Sequence, residues 1–418
     1  MGTIVPKAIA AAVLNSLKGG VVPRVGLEYI TVGRKNEINA LLNDVDIIEQ
    51  GGSTFRFVVG KYGSGKTFLM HALRNHVMER GFVVTDAELT NEKRLVGNKG
   101  QGLATYRELI HNMAIHAKPD NEALPLVLEK WISRIQNEVV QNDGIAPDAD
   151  HFKEAVSRKI YDVTTSMEQQ INGFEFGRVL DLYYKAYIAG DEAMMKKTFK
   201  WFRGEYKTKT EAKNDLEVNL IVTDDNWYEF MKLFSCFVAK AGFKGLYLCI
   251  DELPNLYRIP SKVGRDYNYN KILYMYNDAL QGNSKYMGII MGNTPEGMED
   301  PVKGVFSYEA LATRLQDSKF AKKNADLSAP VIHLVALNPA ELYILVEKLT
   351  YMHADLYAYE ARLEHDDFIH FLKSEYARME RVEDITVRDI IRNYISFLNL
   401  VQQNPDTPVS ELALLEKV

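Results

Sequence analysis

The chain has 418 residues, of which 46% are hydrophobic and 25% are charged, and its formal net charge is −6. This length favours two or three structural units over a single one. A net acidic chain is not coated for nucleic-acid binding, although a local basic patch is compatible with it. The two cysteines, Cys236 and Cys249, form neither a disulfide framework nor a metal-binding pattern. We therefore expect a reducing, cytoplasmic setting.

A membrane location is not indicated by the sequence. Lys240 and Lys244 interrupt the longest apolar stretch, which is therefore too polar for a membrane span. Residues 8–17 are preceded by one lysine and followed by no small-residue cleavage pattern, so an amphipathic first helix is favoured over a signal peptide. We expect no membrane contact.

In chain order, short apolar runs alternate with helical patterns. After the first helix and an extended stretch at residues 21–23, a helix begins at residues 33–38 and continues to about Ile48. Five runs rich in β-branched and aromatic residues predict strands, with helical patterns between them. These runs are residues 54–59, 82–87, 245–250, 286–292 and 330–334. The alternation predicts a parallel α/β sheet with its ligand at the carboxyl ends of the strands.

The connection between the second and third strands is much longer than a crossover requires. It contains about 150 residues, where a dozen or so suffice. Its composition predicts a helical insertion, and residues 340–400 predict a second helical region followed by a polar tail. The expected units are an N-terminal helix and linker (1–31), a core (32–89 and 243–336), the insertion (90–242), and a helical lid with the tail (337–418).

A glycine-rich loop lies between the first strand and the next helix. It reads Gly60-Lys61-Tyr62-Gly63-Ser64-Gly65-Lys66-Thr67, and Phe68 continues the helix. A strand that leads through such a loop into a helix presents backbone N–H groups to phosphate oxygens. Lys66 is predicted to neutralise the β- and γ-phosphates, and the Thr67 hydroxyl to bind Mg²⁺. The sequence therefore predicts a nucleoside triphosphate site formed by residues 60–68.

Polar residues follow the next two strands of the predicted core. Asp251 is predicted to hold Mg²⁺ through water, and Glu252 to polarise the attacking water. Such a pair is also common in a solvated turn, but the phosphate loop upstream favours hydrolysis. Asn293, after the fourth strand, is a candidate to hydrogen-bond the attacking water or the γ-phosphate, with a plain turn residue as the alternative.

Two arginines and one basic segment are less specific signals. Arg314 precedes the fifth strand and is a candidate to reach the γ-phosphate of a neighbouring subunit. Arg388 begins a helix of the C-terminal region and is a candidate to close over the nucleotide. An ordinary surface role is the alternative for each. Residues 196–209 mix basic and aromatic side chains, which is typical of a nucleic-acid-contacting face or of a solvated helix end.

The order of these elements resembles that of AAA+ ATPases, especially the branch shared by origin-recognition and STAND-type proteins. In that branch a V-G-R-x-x-E-I box, here Gly33 and Arg34 with their neighbours, lies near the adenine. Two further elements are similar to the BrxC/BrxD-type ATP-binding proteins of bacteriophage-exclusion (BREX) and related defence loci. These are W-F-R-G-E at residues 201–205 and S-Y-x-A-L-x-x-R-L at residues 307–315.

The resemblance covers roughly residues 8–400 and implies a P-loop, AAA+-like five-stranded parallel sheet with a large helical insertion and a C-terminal helical lid. It implies ATP and Mg²⁺ as cofactors, Gly33 and Arg34 as nucleotide-binding residues, a homo-oligomer, and partners from the same defence system. DNA is a further candidate target. The stretch after Leu400 is too short for the winged helix of origin-recognition proteins, so DNA contact would come from elsewhere.

The expected function is an ATPase that powers or switches an anti-phage complex. The alternative is a nucleotide-gated scaffold in which ATP orders partner docking and turnover is incidental. A P-loop kinase would explain neither Glu252 nor the arginine-bearing lid.

Overall fold

The computed structural model describes residues 5–167, 171–316, 326–381 and 386–412. The strands are β1 (Ser53–Val59), β2 (Val83–Glu88), β3 (Leu246–Asp251), β4 (Met287–Asn293) and β5 (Val331–His333). The helices before and between them are α1 (Lys7–Lys18), α2 (Leu27–Ile30), α3 (Lys35–Glu49), α4 (Lys66–Glu79), α5 (Gln101–His111), α6 (Leu124–Asn142), α7 (Phe152–Met167), α8 (Gly173–Ala189), α9 (Glu192–Phe202), α10 (Lys209–Leu216), α11 (Trp227–Lys240), α12 (Pro254–Tyr257), α13 (Lys262–Gln281), α14 (Pro295–Glu299) and α15 (Glu309–Leu315). The last four helices are α16 (Pro339–Tyr357), α17 (His365–Arg381), α18 (Val387–Gln403) and α19 (Val409–Leu412).

The strands form one parallel sheet in the order β2-β3-β4-β1-β5. Every strand lies within one residue of its predicted bounds, and the α/β P-loop fold class is confirmed. At the carboxyl edge, Val59 of β1 is in register with Asn293 of β4, and Asp251 of β3 is in register with Glu88 of β2. The sheet therefore brings the loop after β1 and the acidic pair after β3 to the same edge.

Each face of the sheet has its own hydrophobic core, because successive strand residues point to opposite sides. On one face, Phe57 and Leu248 belong to a core that includes α11, α13 and the insertion helices. On the other face, Val58 and Ile290 belong to a core that includes α1, α3, α4 and the lid helices. The insertion and the lid therefore pack on opposite faces of the sheet.

The insertion is helical, as predicted, with α5 to α11 between β2 and β3. It contains all three tryptophans of the chain, Trp131, Trp201 and Trp227, and each is at most 1% exposed. Phe176 of α8 and Phe234 of α11 meet edge to face with their ring centroids 5.1 Å apart. These large apolar side chains make the insertion an extension of the sheet core. Its proposed limits at residues 90 and 242 stay a prediction.

The C-terminal region is also helical, as predicted, and α1 packs against its helices α16 and α18. A reciprocal capping box begins α16, with the Asn338 side chain accepting from the Glu341 N–H and the Glu341 carboxylate accepting from the Asn338 N–H, both at 2.9 Å. The N-terminal helix and the lid thus form one layer. Over the described ranges, no helix is long and apolar enough to cross a membrane.

Candidate nucleotide-binding site

The loop between β1 and α4 has the backbone shape that phosphate binding requires. Gly63 and Gly65 have φ angles of +74° and +93°, in the left-handed region that favours glycine. A side chain at Gly63 would also meet the Cβ atom of Thr386 at 2.5 Å. No side chain caps the first turn of α4, so its N–H groups can bind an anion. The Ser64 hydroxyl, also in the loop, is buried without a hydrogen-bond partner.

Lys66 lies near one other cation, Arg388, and two carboxylates, Asp251 and Glu252. Its Nζ donates to the carbonyl oxygens of Gly60 at 2.8 Å and Lys61 at 3.1 Å. Burial lowers the pKa of Lys66, and the nearby Arg388 lowers it further, whereas the Asp251 and Glu252 carboxylates oppose the shift. An anionic ligand beside Lys66 would compensate the burial of its charge.

The two residues predicted to hold Mg²⁺ are in direct contact. The Thr67 hydroxyl donates to Asp251 Oδ2 at 2.7 Å, and Asp251 is 8% exposed. One hydroxyl and one carboxylate suit Mg²⁺, which usually completes its shell with water and substrate phosphates. In the described part of the chain, no cluster of three or more His, Cys, Asp or Glu side chains forms a separate metal site. The residues present therefore fit a magnesium ion that arrives with a nucleotide.

Glu252 lines the cavity beside this pair. Its φ is +61°, an unusual value for a residue with a side chain, and its N–H donates to Asp251 Oδ1 at 2.8 Å. The carboxylate is solvent-exposed, in contrast to that of Asp251. Backbone strain of this kind costs on the order of 1–3 kcal/mol and is typical of functional sites. The geometry places a carboxylate with access to water next to the phosphate loop.

A third carboxylate, Glu88, was missed by the sequence reasoning. It ends β2 in register with Asp251. Burial raises the pKa of Glu88, and the Asp251, Glu108 and Glu252 carboxylates raise it further, whereas Lys93 opposes them. Glu88 could have been identified from the sequence, because it directly follows the strand predicted at residues 82–87 and so lies at the carboxyl edge of the sheet.

Arg34 ties the loop to the segment that follows β5. It is 5% exposed, and one guanidinium nitrogen donates to the carbonyl oxygens of Ser64 at 2.9 Å and Val335 at 2.7 Å. It also pairs with Glu37 at 3.3 Å and lines the cavity. Gly33, with φ +67°, packs against Glu341 of α16, where an added Cβ would approach the carboxylate to 2.4 Å. Arg34 thus joins the loop to the segment after β5, and Gly33 packs on the lid helix α16. The contact of both residues with nucleotide stays a prediction.

The cavity next to the loop has a largely apolar wall of a kind that suits a nucleobase. This wall comes from the N-terminal segment and from the lid, and sequence reasoning assigned none of its residues to the site apart from Phe68. Its members are Leu17, Val21, Val22, Ile30, Val32, Phe68, Leu337, Leu345, Val387 and Ile391. No local pattern distinguishes them from other core residues, because they come together only in the folded chain.

The structure brings Arg388 to the site but not the side chains of Asn293 and Arg314. Arg388 lines the cavity and donates to the Tyr62 hydroxyl at 2.9 Å. Asn293 is fully buried, with its side-chain oxygen accepting from the Thr294 N–H at 2.9 Å. Arg314 is exposed and donates to the carbonyl oxygen of Ala310 on its own helix at 2.7 Å. Neither Asn293 nor Arg314 lines the cavity, and the catalytic roles of both stay predictions.

Three aromatic residues of the basic segment at 196–209 are buried, and Phe199 is half-buried. Trp201, Phe202 and Tyr206 are at most 2% exposed and belong to the insertion core. Lys197 pairs with Asp215 at 2.9 Å, and Lys200 pairs with Glu211. Of the two interpretations of this segment, their burial disfavours a face that stacks bases on Trp201, Phe202 and Tyr206. Nucleic-acid contact by the segment itself stays a prediction.

Among the comparisons with known proteins, the family match agrees with a nucleotide-binding site. A family model described as BREX system ATP-binding protein BrxC/D matches residues 5–416. The comparison with curated proteins gave no match. Among solved structures, the ORC2 protein of Aeropyrum pernix in its ADPNP-ADP complexes is similar, with 13% identity and a TM-score of 0.32 over 92% of this chain and 71% of that one. From the family match, the chain belongs to the BrxC/D family of BREX system ATP-binding proteins.

Proposed function

We propose that this protein binds ATP with Mg²⁺ and hydrolyses it to power or switch a BREX-type anti-phage defence complex. The observation that carries the proposal is the contact of Thr67 with Asp251, with Glu252 beside them in the cavity that Lys66 lines. These four groups come from two segments of the chain, and Thr67 and Asp251 are 184 positions apart in the sequence. Lys66, Thr67 and Glu252 line one cavity and Asp251 is bonded to Thr67, an arrangement that supports nucleotide hydrolysis.

Nucleotide binding is supported by the phosphate loop and by the apolar wall of the cavity. The N–H groups at the start of α4 and the Lys66 ammonium would hold the phosphates, which are better acceptors for a charged donor than the carbonyl oxygens of Gly60 and Lys61. The apolar wall would hold the base. Thr67 and Asp251 would hold Mg²⁺, which neutralises phosphate charge when it is bound.

Hydrolysis needs a group that orients and deprotonates water. Glu252 is exposed at the cavity, so water has access to its carboxylate. Asp251 is buried and hydrogen-bonded to Thr67, which keeps it from that role. The two neighbouring acids thus have different environments and different proposed tasks.

The test is the substitution Glu252→Gln, which keeps the shape of the side chain and removes its basicity. We expect unchanged ATP affinity and a rate of hydrolysis lower by roughly 10²- to 10⁴-fold. Glu129→Gln, on the exposed surface of the insertion, is the matched control and should hydrolyse ATP at the wild-type rate. Hydrolysis by Glu252→Gln at the wild-type rate would remove Glu252 from the mechanism.

The alternative function is a nucleotide-gated scaffold. It is favoured by the insertion, whose helices contribute no described residue to the cavity and whose surface is available to partners. A phage-protection assay separates the two functions. Protection by Glu252→Gln with loss in Lys66→Ala indicates the scaffold, whereas loss in both indicates that turnover is required.

The assembly proposed is a cytoplasmic homo-oligomer that acts with other proteins of the same defence system, with DNA as a candidate target. Arg314 is exposed outside its own cavity, which is the placement that a contribution to a neighbouring subunit requires. Particle mass measured with and without a non-hydrolysable ATP analogue tests the oligomer. If a nucleotide-dependent assembly forms, Arg314→Ala should reduce hydrolysis and leave the nucleotide affinity of the monomer unchanged.

A further inference from the structure

A hydrogen bond between two side chains joins the tip of the phosphate loop to the first turn of α18. Arg388 donates to the Tyr62 hydroxyl at 2.9 Å, and its guanidinium carbon lies 5.1 Å from the centre of the Tyr62 ring. The two residues are separated by 326 positions in the chain. Beside them, Thr386 packs on Gly63, so the start of α18 rests directly on the loop.

Arg388 hydrogen-bonds to a neutral tyrosine, Tyr62, and has no carboxylate partner at ion-pair distance within the described ranges. Tyr62 itself is 67% exposed, so its ring is not held there by burial in a core. A neutral partner contacts the guanidinium without forming an ion pair, and the Asp389 carboxylate interacts with the Arg388 charge only at longer range. The guanidinium can therefore still pair with an anion.

The Arg388 guanidinium lies beside the nucleotide cavity, near a second cation. Arg388 and Lys66 both line the cavity, and each is close enough to the other for their charges to interact. Two neighbouring cations repel each other, and the Asp251 and Glu252 carboxylates near Lys66 offset part of that repulsion. Tyr62 is the side chain whose contact keeps Arg388 at this place in spite of the repulsion.

We propose that Tyr62 is a positioning residue, which holds the lid arginine Arg388 at the mouth of the cavity and so couples the phosphate loop to closure of the lid over the nucleotide. The inference rests on the proposed function, because it assigns Arg388 to the phosphates of bound ATP. Tyr62 acts through Arg388 and not through the nucleotide.

A double-mutant cycle on the affinity for a fluorescent ATP analogue tests this coupling. Tyr62→Ala removes the ring and the hydroxyl and should weaken binding roughly five- to tenfold. Tyr62→Phe keeps the ring and should lose only about twofold. Arg388→Ala should weaken binding by about tenfold or more, and the double variant Tyr62→Ala/Arg388→Ala should bind no more weakly than Arg388→Ala alone.

The matched control is Tyr267→Ala, which removes a tyrosine of similar exposure, 61%, from α13 outside the cavity and should bind as the wild type does. A second measurement, hydrogen exchange of the α18 amides in nucleotide-free protein, should show faster exchange in Tyr62→Ala than in Tyr267→Ala. Wild-type protein that binds no ATP would overturn the proposed function and, with it, this inference. Wild-type binding combined with equal binding by Tyr62→Ala, or with additive losses in the double variant, overturns the inference alone.

Discussion

The lid and the insertion are both helical and both pack on the central sheet, but they differ in how they meet the nucleotide cavity. The lid shares the core on one face of the sheet with α1 and reaches the loop through Arg388 and Thr386. The insertion shares the core on the other face, and none of its described residues lines the cavity. A bound nucleotide would therefore act on the lid by contact, whereas an effect on the insertion would pass through the sheet or through the segments at its edge.

The hydrogen bonds at that edge give the insertion a route to the acidic pair. The Leu89 N–H donates to the Asp251 carbonyl oxygen at 3.1 Å, and the Asn255 side chain donates to the Leu89 carbonyl oxygen at 2.7 Å. Asn268 of α13 accepts from the N–H groups of Leu95 and Val96 at 3.0 and 2.9 Å. The segment that enters the insertion is thus attached to the segment that follows Glu252.

The largest expected effect tests the insertion as a core extension. Trp201→Ala removes a side chain that is 1% exposed and donates to the Leu220 carbonyl oxygen at 2.7 Å. We expect it to lower the free energy of unfolding by about 3–5 kcal/mol, measured by urea denaturation. ATP affinity, measured at urea concentrations well below the unfolding midpoint, should stay unchanged. Tyr161→Ala, at a 66% exposed position of α7, should change stability by less than about 0.5 kcal/mol. A loss of ATP affinity in folded Trp201→Ala protein would show that the insertion acts on the cavity.

The next effect concerns the cavity itself. Lys66→Ala removes the ammonium that faces the phosphates and should weaken ATP binding on the order of a hundredfold or more, measured by titration with a fluorescent analogue. Lys61→Ala removes an exposed lysine from the same loop and should bind nearly as the wild type does, because Lys61 contributes backbone atoms. Equal losses in the two variants would mean that loop charge, and not the position of Lys66, governs affinity.

Two glycines with similar positive φ angles, one in the phosphate loop and one in the insertion, allow a matched test of the two regions. Gly63→Ala and Gly190→Ala place a side chain at φ angles of +74° and +67°, and each should cost about 1 kcal/mol of stability. The Cβ at position 63 would also meet Thr386 of the lid at 2.5 Å, whereas nothing lies within 4 Å at position 190 in the insertion. We expect only Gly63→Ala to weaken ATP binding, measured in parallel titrations. A similar loss in Gly190→Ala would contradict the separation of the two regions.

The smallest effect is an acid sensitivity of the lid. His353 of α16 is 1% exposed, with its ring nitrogens bonded to Tyr359 at 3.0 Å and Asn399 at 3.2 Å. Burial lowers the pKa of His353, the Asn399 hydrogen bond opposes this shift, and Lys18 adds to it. The unfolded chain therefore binds the proton more readily, so stability is present above the ordinary histidine pKa of about 6.5 and is lost as pH falls through the lower folded value.

Unfolding midpoints measured at about pH 7.5 and about pH 5.5 should differ less in His353→Gln than in the wild type. His370→Gln, at an exposed position of the lid, is the control and should keep the wild-type difference. An unchanged pH dependence in His353→Gln would assign the acid sensitivity to another group.

The sequence predicted the sheet almost residue by residue because strand and loop signals are local. The run that ends at Val59 and the glycines after it carry their own hydrophobic and conformational pattern. The contacts that complete the site are not local: Arg34 bonds to Val335 across 301 positions, and Arg388 to Tyr62 across 326. The burial of Trp201 was missed for a related reason, since composition alone does not show which side of a helix faces the core.

The cavity wall combines residues that are far apart in the chain, which has a consequence for synthesis on the ribosome. The wall needs Leu17 and Val22 near the start of the chain and Val387 and Ile391 near its end. Domains generally fold as they emerge, from the N-terminus onward. The strand that leads into the phosphate loop, β1, pairs with β4 and β5, so the loop is fixed only after those strands have been translated. The wall is complete only after α18 has been translated. A ligand stabilises only chains that can bind it, so ATP would favour molecules in which α18 has been made over those in which it has not.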